Sequence, residues 1–246
     1  MQTYTFAYPV TFADIDSGYN LTPNAILCYF QDAIARFLTL GQAGPRDIRQ
    51  KGLLWMITEF HTQIEEPRPV WPDTVKVTVW FSEISMLKTH EDYYMQDPSG
   101  HRFATGTSTW LIMDRNAGRP FRCTELPELL ALHDEKDATH SPKFLFTEIG
   151  DTIREMSHTV SASDIDFNGH VSNQIYVRLA TSMGSADYGK SHRLREMHVK
   201  FERECFLGDE LTISLKRSSD GEFSTVISRP DSRETVCRIN SSWTEA

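Results

Sequence analysis

Ser161–Tyr176 reads S-A-S-D-I-D-F-N-G-H-V-S-N-Q-I-Y, and the rest of the chain is organised around it. Asp166, Asn168 and His170 alternate along a short loop. Ser172 and Asn173 follow as capping residues, and Ile175, Leu179 and Met183 recur at i, i+4 and i+8. That spacing predicts a helix starting directly after the loop. A carboxylate, an amide and an imidazole then stand at a helix N-terminus, where unpaired amides and the positive dipole end would stabilise a developing oxyanion. Taken alone, the same residues also serve as ordinary caps, with Gly169 in a turn. What favours chemistry comes from the rest of the chain.

Val10 matches Val160 and Asp14-Ile15-Asp16 matches Asp164-Ile165-Asp166, without a gap, at a spacing of 150 (166 − 16). In the first copy Thr22-Pro23 supplies a cap and an N1 proline, and Ile26, Phe30, Ile34 and Phe37 form one apolar helical face closed by Gly41. An alternating stretch, Tyr4–Phe12, precedes the loop as a strand, and 53–65, 74–82, 89–96 and 102–113 follow as strands rich in β-branched and aromatic residues. The second half repeats the order with a strand near 153–159, the helix, then 195–203, 210–217, 222–228 and 235–242. Trp110 and Trp243 close the two copies at a smaller spacing of 133 (243 − 110), so the first copy carries extra residues, placed at 41–52. Each half is predicted as one strand, one long helix and four strands. A helix with a full apolar stripe needs a cover, and a curved antiparallel sheet can wrap it. The expected fold is α+β, with domains at 1–115 and 149–246 and a linker at 116–148 that holds a short helical piece near 127–132. The copies differ in one telling respect: Gly18 and Asn20 stand where the second has Asn168 and His170. A loop that only capped a helix would not need that asymmetry, so the second copy is expected to carry the chemistry.

The 246 residues suffice for one large domain or two small ones. A net charge of −9 argues against broad binding to nucleic acid or anionic membranes. No apolar run reaches the ~20 residues of a membrane span, and the start, MQTYTFAYPV, does not read as a signal or transit peptide. Cys28, Cys123, Cys205 and Cys237 are scattered, and no zinc spacing, HExxH, P-loop or GxGxxG occurs. The expectation is a cytoplasmic protein without metal or other cofactor; the sequence admits a homodimer.

The stretch D-I-D-F-N-G-H-V-S-N-Q-I-Y resembles the Asp-x-Asn-x-His-x-x-Asn segment of acyl-acyl carrier protein thioesterases, and V-K-F-E-R-E-C at 199–205 resembles their Tyr-Arg-Arg-Glu-Cys strand. L-L-W-M-I-T at 53–58, W-P-D-T-V at 71–75 and W-L-I-M-D at 110–114 resemble the family's first-half strands. The resemblance covers most of the chain in the right order. It implies tandem hot-dog domains, a first domain that binds the acyl chain after losing its own site, and hydrolysis of fatty acyl-acyl carrier protein in the second. Carried over residue by residue, the catalytic positions fall on Asp166, Asn168, His170 and Glu204, with Cys205 beside them. Two departures are visible: Phe201-Glu202-Arg203 replaces Tyr-Arg-Arg, and no plastid leader precedes the match, as in a bacterial-type member.

Thioester hydrolysis needs an activated water, a stabilised carbonyl oxygen and a protonated leaving thiolate. Glu204 is the first choice of base, although the sequence does not separate it from Asp166, which would orient the other groups. His170 would hold the water or pass a proton, imidazole being the group that exchanges protons near neutral pH. Amides near Val171–Asn173 and the Asn168 side chain would meet the oxyanion. A Cys205-His170-Asn168 triad forming an acyl-enzyme is the competing arrangement. Strand alternation would place Glu204 and Cys205 on opposite faces, with Cys205 toward the core. Lys190, Arg193, Arg195, Lys200 and Arg203 are the candidate docking patch for an acidic carrier protein, a solvated charged face being the plain alternative. The other function classes are an acyl-CoA thioesterase, a hot-dog dehydratase, and a non-catalytic acyl-binding or sensing protein.

Overall fold

The computed structural model describes residues 3–132, 146, 150–185, 191–217 and 221–245. The chain divides into two compact units, Met1–Lys143 and Phe144–Ala246. Residues 133–145, 147 and 148 of the expected linker, among them 134–137, lie outside the described residues, as does Lys190.

In the first unit β1 (Tyr4–Pro9) leads through a 3-10 turn at Phe12–Asp14 to α1 (Pro23–Leu40) and the short α2 (Pro45–Gln50). Strands β2 (Leu53–Ile64), β3 (Thr74–Ile84), β4 (Lys88–Gln96) and β5 (Arg102–Asp114) follow, then β6 (Arg119–Phe121) and a helical turn α3 (Pro127–Leu130). The strands pair antiparallel in the order β1-β3-β4-β5-β2, with β6 on β5. The apolar face read from the sequence is the face the sheet covers: Ile26, Phe30 and Phe37 are fully buried, and Ile34 nearly so. Burying four such side chains contributes roughly 6–12 kcal/mol gross, an upper figure for a collapsed unfolded chain. Thr22 Oγ1 accepts the Ala25 amide at 3.2 Å, and Pro23 opens the helix. The extra residues at 41–52 form α2, anchored by buried Ala43 and Ile48 and by Trp55 Nε1 donating to the Ala43 carbonyl at 2.9 Å.

The second unit has β7 (Asp151–Thr159), a 3-10 turn at Ala162–Asp164, α4 (Asn173–Ser185), β8 (His192–Phe201), β9 (Glu210–Arg217), β10 (Glu222–Ser228) and β11 (Thr235–Glu245). Its antiparallel order, β7-β9-β10-β11-β8, is that of the first unit element for element. Ile175, Leu179 and Met183 are buried as their spacing requires. Both units are thus α+β hot-dogs, one curved sheet around one long helix. The repeat reaches individual bonds: Val10 N–H donates to Asp73 O as Val160 N–H does to Asp209 O, both at 2.9 Å. Trp110 and Trp243 each donate Nε1 to the serine hydroxyl two residues back, at 2.7 and 3.2 Å.

Two of the strand ends that differ from the expectation border the loops that matter here. The first strand stops at Pro9 instead of Phe12, because Asp14 takes both the amide and the hydroxyl of Thr11, at 2.8 and 2.5 Å, and tightens the chain into a turn. The strand expected to run to Arg203 stops at Phe201, where Cys237 is its last ladder partner.

Candidate active site

The loop before α4 is built by its own backbone. Asp166 and His170 close it, the Asp166 N–H donating to His170 O at 2.9 Å, and Gly169 N–H donates to Asp166 O at 3.0 Å. Gly169 sits at φ +90, in the region glycine enters without strain, whereas the equivalent Tyr19 is held at φ +65. The Asp166 carboxylate accepts the Asn168 amide at 2.7 Å. Asp164, 2% exposed, anchors the loop from below. Its carbonyl accepts Ser172 N–H at 2.8 Å, and its carboxylate takes the Ser161 amide and hydroxyl, with His158 Nε2 at 3.0 Å. Burial works against that carboxylate, but the Ser161 donors and then His158 outweigh it and hold it below the usual range.

Two of the expected carboxylates converge on the His170 imidazole. His170 Nδ1 lies 3.8 Å from Asp166 Oδ1, and Nε2 lies 3.8 Å from Glu204 Oε1. These separations exceed a formed hydrogen bond, the looser spacing found before substrate tightens a site. The two carboxylates are in different states. Asp166 is 20% exposed and engaged with the loop amide, while Glu204 is 48% exposed and its carboxylate makes no hydrogen bond among the described residues. The carboxamide of half-buried Asn168 likewise makes no hydrogen bond among the described residues.

β8 ends at Phe201, so Glu204 and Cys205 do not alternate as strand residues. Both sit in the loop that follows, Glu204 outward and Cys205 fully buried. Burial pushes the Cys205 thiol up; neighbouring Tyr176 and the Arg229 guanidinium, 3.9 Å from Sγ, only partly offset it. Val171 corrects a further expectation. Its amide is not available to an oxyanion, because it donates to the Cys205 carbonyl at 2.8 Å and so pins the Glu204–Cys205 loop to the Asp166–His170 loop. Ser172 N–H is engaged as well, which leaves the Asn168 side chain and the first turn of α4 to meet an oxyanion.

The described basic residues are spread along β8 and the loop after it. Arg193 and Arg195 lie at the start of β8, Lys200 stands over the Phe146 ring at 5.9 Å, and Arg203 pairs with Glu234 at 3.0 Å beyond the strand.

The first unit has the same loop with a different content. Leu21 N–H donates to Pro69 O as Val171 does to Cys205, which puts Arg68 where the second unit has Glu204. The Arg68 side chain, 5% exposed, lies 3.7 Å from Asp16 and 2.9 Å from Glu66 and donates to Leu21 O. Asn20, in the place of His170, bonds Asp16 at 3.3 Å. A cation replaces the free carboxylate and an amide the imidazole. Arg68 and the supporting Asp164 were not singled out by the sequence reading; S-x-x-D at 161–164 is the capping signal that marks the latter. Among the described residues no group of three or more His, Cys, Asp or Glu is arranged to hold a metal ion. No described helix is long and apolar enough to cross a membrane.

Fold and site define a class: tandem hot-dogs with one carboxylate–amide–imidazole loop facing a glutamate in the second unit. Residues 1–131 match the acyl-ACP thioesterase N-terminal domain and residues 149–245 the acyl-ACP thioesterase C-terminal domain. The chain belongs to the acyl-ACP thioesterase family. A chloroplastic acyl-[acyl-carrier-protein] hydrolase of Cuphea viscosissima is 26% identical over 62% of this chain, and a chloroplastic palmitoyl-acyl carrier protein thioesterase of Arabidopsis thaliana is 24% identical over 63%. The matched stretches span 38% and 39% of those relatives. A 12:0-ACP thioesterase from Umbellularia californica superposes with a TM-score of 0.88 at 18% identity, covering 100% of this chain and 98% of that one. An acyl-ACP thioesterase from Bacteroides thetaiotaomicron superposes with a TM-score of 0.87 at 19% identity, covering 99% and 98%.

Proposed function

We propose that the protein hydrolyses the thioester of fatty acyl-acyl carrier protein and releases the free fatty acid, using Glu204, His170, Asn168 and Asp166 in the second unit. The observation that carries the reading is the imidazole held 3.8 Å from each of two carboxylates, only one of which is engaged in its own loop. The exposed Glu204 carboxylate, which makes no hydrogen bond among the described residues, accepts a proton as the water oxygen attacks the thioester carbon. The Asn168 carboxamide and the first turn of α4 face the oxyanion, each donor being worth ~3 kcal/mol. Asp166 holds the loop and the ring. His170 orients the water and carries a proton to the sulfur when the tetrahedral intermediate collapses, so that the products are a carboxylic acid and a carrier-protein thiol.

The first unit is assigned to the acyl chain. Its own loop carries Arg68 and Asn20 in place of the glutamate and imidazole, which supports a binding role over catalysis. Of the candidate docking residues, Arg193 and Arg195 are retained for the carrier protein. The reading extends to a cytoplasmic location, which four free cysteines fit, and to a homodimer as the assembly to be checked by sedimentation.

Turnover of matched acyl-acyl carrier protein, acyl-CoA and hydroxyacyl substrates tests the proposal. A kcat/KM for the carrier-protein substrate well above that for acyl-CoA is expected. The reverse preference would make it an acyl-CoA thioesterase, release of unsaturated product a dehydratase, and binding without turnover an acyl-sensing protein.

A further inference from the structure

The Glu204–Cys205 pair sits outside any strand ladder, and among the described residues the Glu204 side chain has no hydrogen bond of its own to hold it against His170. Its place is therefore decided by what fixes the backbone beneath it. One tie is Val171 N–H to Cys205 O. The other comes from Arg229, the residue after β10, 25 positions along the chain from Glu204. Its Nη2 donates to the Glu204 carbonyl at 2.7 Å and stands 3.9 Å from Cys205 Sγ. The guanidinium is itself fixed from two sides, by Glu234 at 2.5 Å and by Asp209 at 3.3 Å. Asp209 in turn accepts the Phe206 amide at 3.0 Å, so the arginine and its acid grip both ends of the loop.

We propose that Arg229 is a positioning residue that clamps the Glu204 carbonyl and thereby keeps the Glu204 carboxylate within reach of His170. The inference rests on the thioesterase reading for its kinetic arm. A rigid guanidinium suits the task better than an ammonium, since one planar fork can bond the carbonyl and two carboxylates together. The first unit supplies a contrast. The residue following β4, the counterpart of β10, is Asp97, which bonds Ser99 and His101 of its own turn. The unit without the imidazole thus lacks the clamp.

Arg229→Met, Arg229→Ala and Arg229→Lys test it. Misplacement of a base by about 1 Å costs up to ~10²-fold, so Met and Ala are expected to lower kcat per folded molecule about 10- to 100-fold with KM within about twofold. Lysine should retain more activity, and added guanidinium ion should raise kcat of the alanine variant several-fold while leaving the parent unchanged. Hydrogen exchange of the 202–207 segment should speed up while the global urea midpoint moves little. A kcat within twofold of the parent in the Met and Ala variants would overturn the clamp, as would a loss that tracks global stability and ignores guanidinium. If the parent turns over no thioester, the function reading fails by itself. Hydrogen exchange then judges the clamp, and an unchanged 202–207 segment in Arg229→Met overturns it.

Discussion

Replacing Cys205 by alanine is expected to leave most of the turnover in place, whereas Glu204→Gln removes it. The thiol is fully buried, and burial pushes it above its ordinary value of 9.0. The form that burial favours is the protonated thiol, a poor nucleophile, so attack by Cys205 would start from a disfavoured thiolate. Glu204 is 48% exposed and its carboxylate lies 3.8 Å from His170 Nε2. Cys205→Ala should hold kcat within about threefold and cost about 1 kcal/mol of stability, the usual scale for a small buried truncation. Glu204→Gln should lose roughly 10²-fold or more, the size of a general-base contribution. Steady-state kinetics on acyl-acyl carrier protein, with rapid-quench mass spectrometry in the first turnover, reads both. An acyl thioester trapped on Cys205, together with an inert Cys205→Ala enzyme, would refute direct attack by water.

Asn168→Ala and His170→Ala are expected to abolish turnover in folded protein while Asn20→Ala, which loses only bonds inside its own loop, keeps it; equal losses in both units would sink the one-site reading. Charge reversal at Arg193 and Arg195 should raise KM for the carrier-protein substrate and flatten its salt dependence, and an unchanged salt series would remove them from the docking surface. Stability should fall with rising pH. The Glu91 carboxyl, fully buried between Thr89 Oγ1 at 2.6 Å and Ser108 Oγ at 3.2 Å, is pushed up by burial to about 8, and Asp92 by burial to about 6. Each binds its proton more tightly folded than unfolded, so its contribution is complete below the ordinary carboxylate range and disappears as pH rises through about 6 and then about 8. Urea titrations from pH 5 to pH 9 should lose on the order of 4 kcal/mol through Glu91, and Glu91→Gln should flatten the upper part of that loss.

Much of this molecule was legible in one dimension. The i, i+4 spacing from Ile175 and from Ile26, the Thr22-Pro23 cap and the 150-residue recurrence of Asp-Ile-Asp are local patterns, and local patterns set helices, caps and the order of a repeat. The loop of Asp166, Asn168 and His170 was readable for the same reason, since its closing bonds join residues within five of each other. What the chain could not declare lies across longer separations. Where β8 ends depends on its ladder with β11, and that end decides that Glu204 turns outward and Cys205 inward. The Val171 amide looked available until its partner, 34 residues on, arrived from the loop after β8. Arg68 in the place of Glu204, and Arg229 beneath it, carry no motif at all. Their roles come from register and packing, which bring together side chains that sequence spacing leaves unrelated.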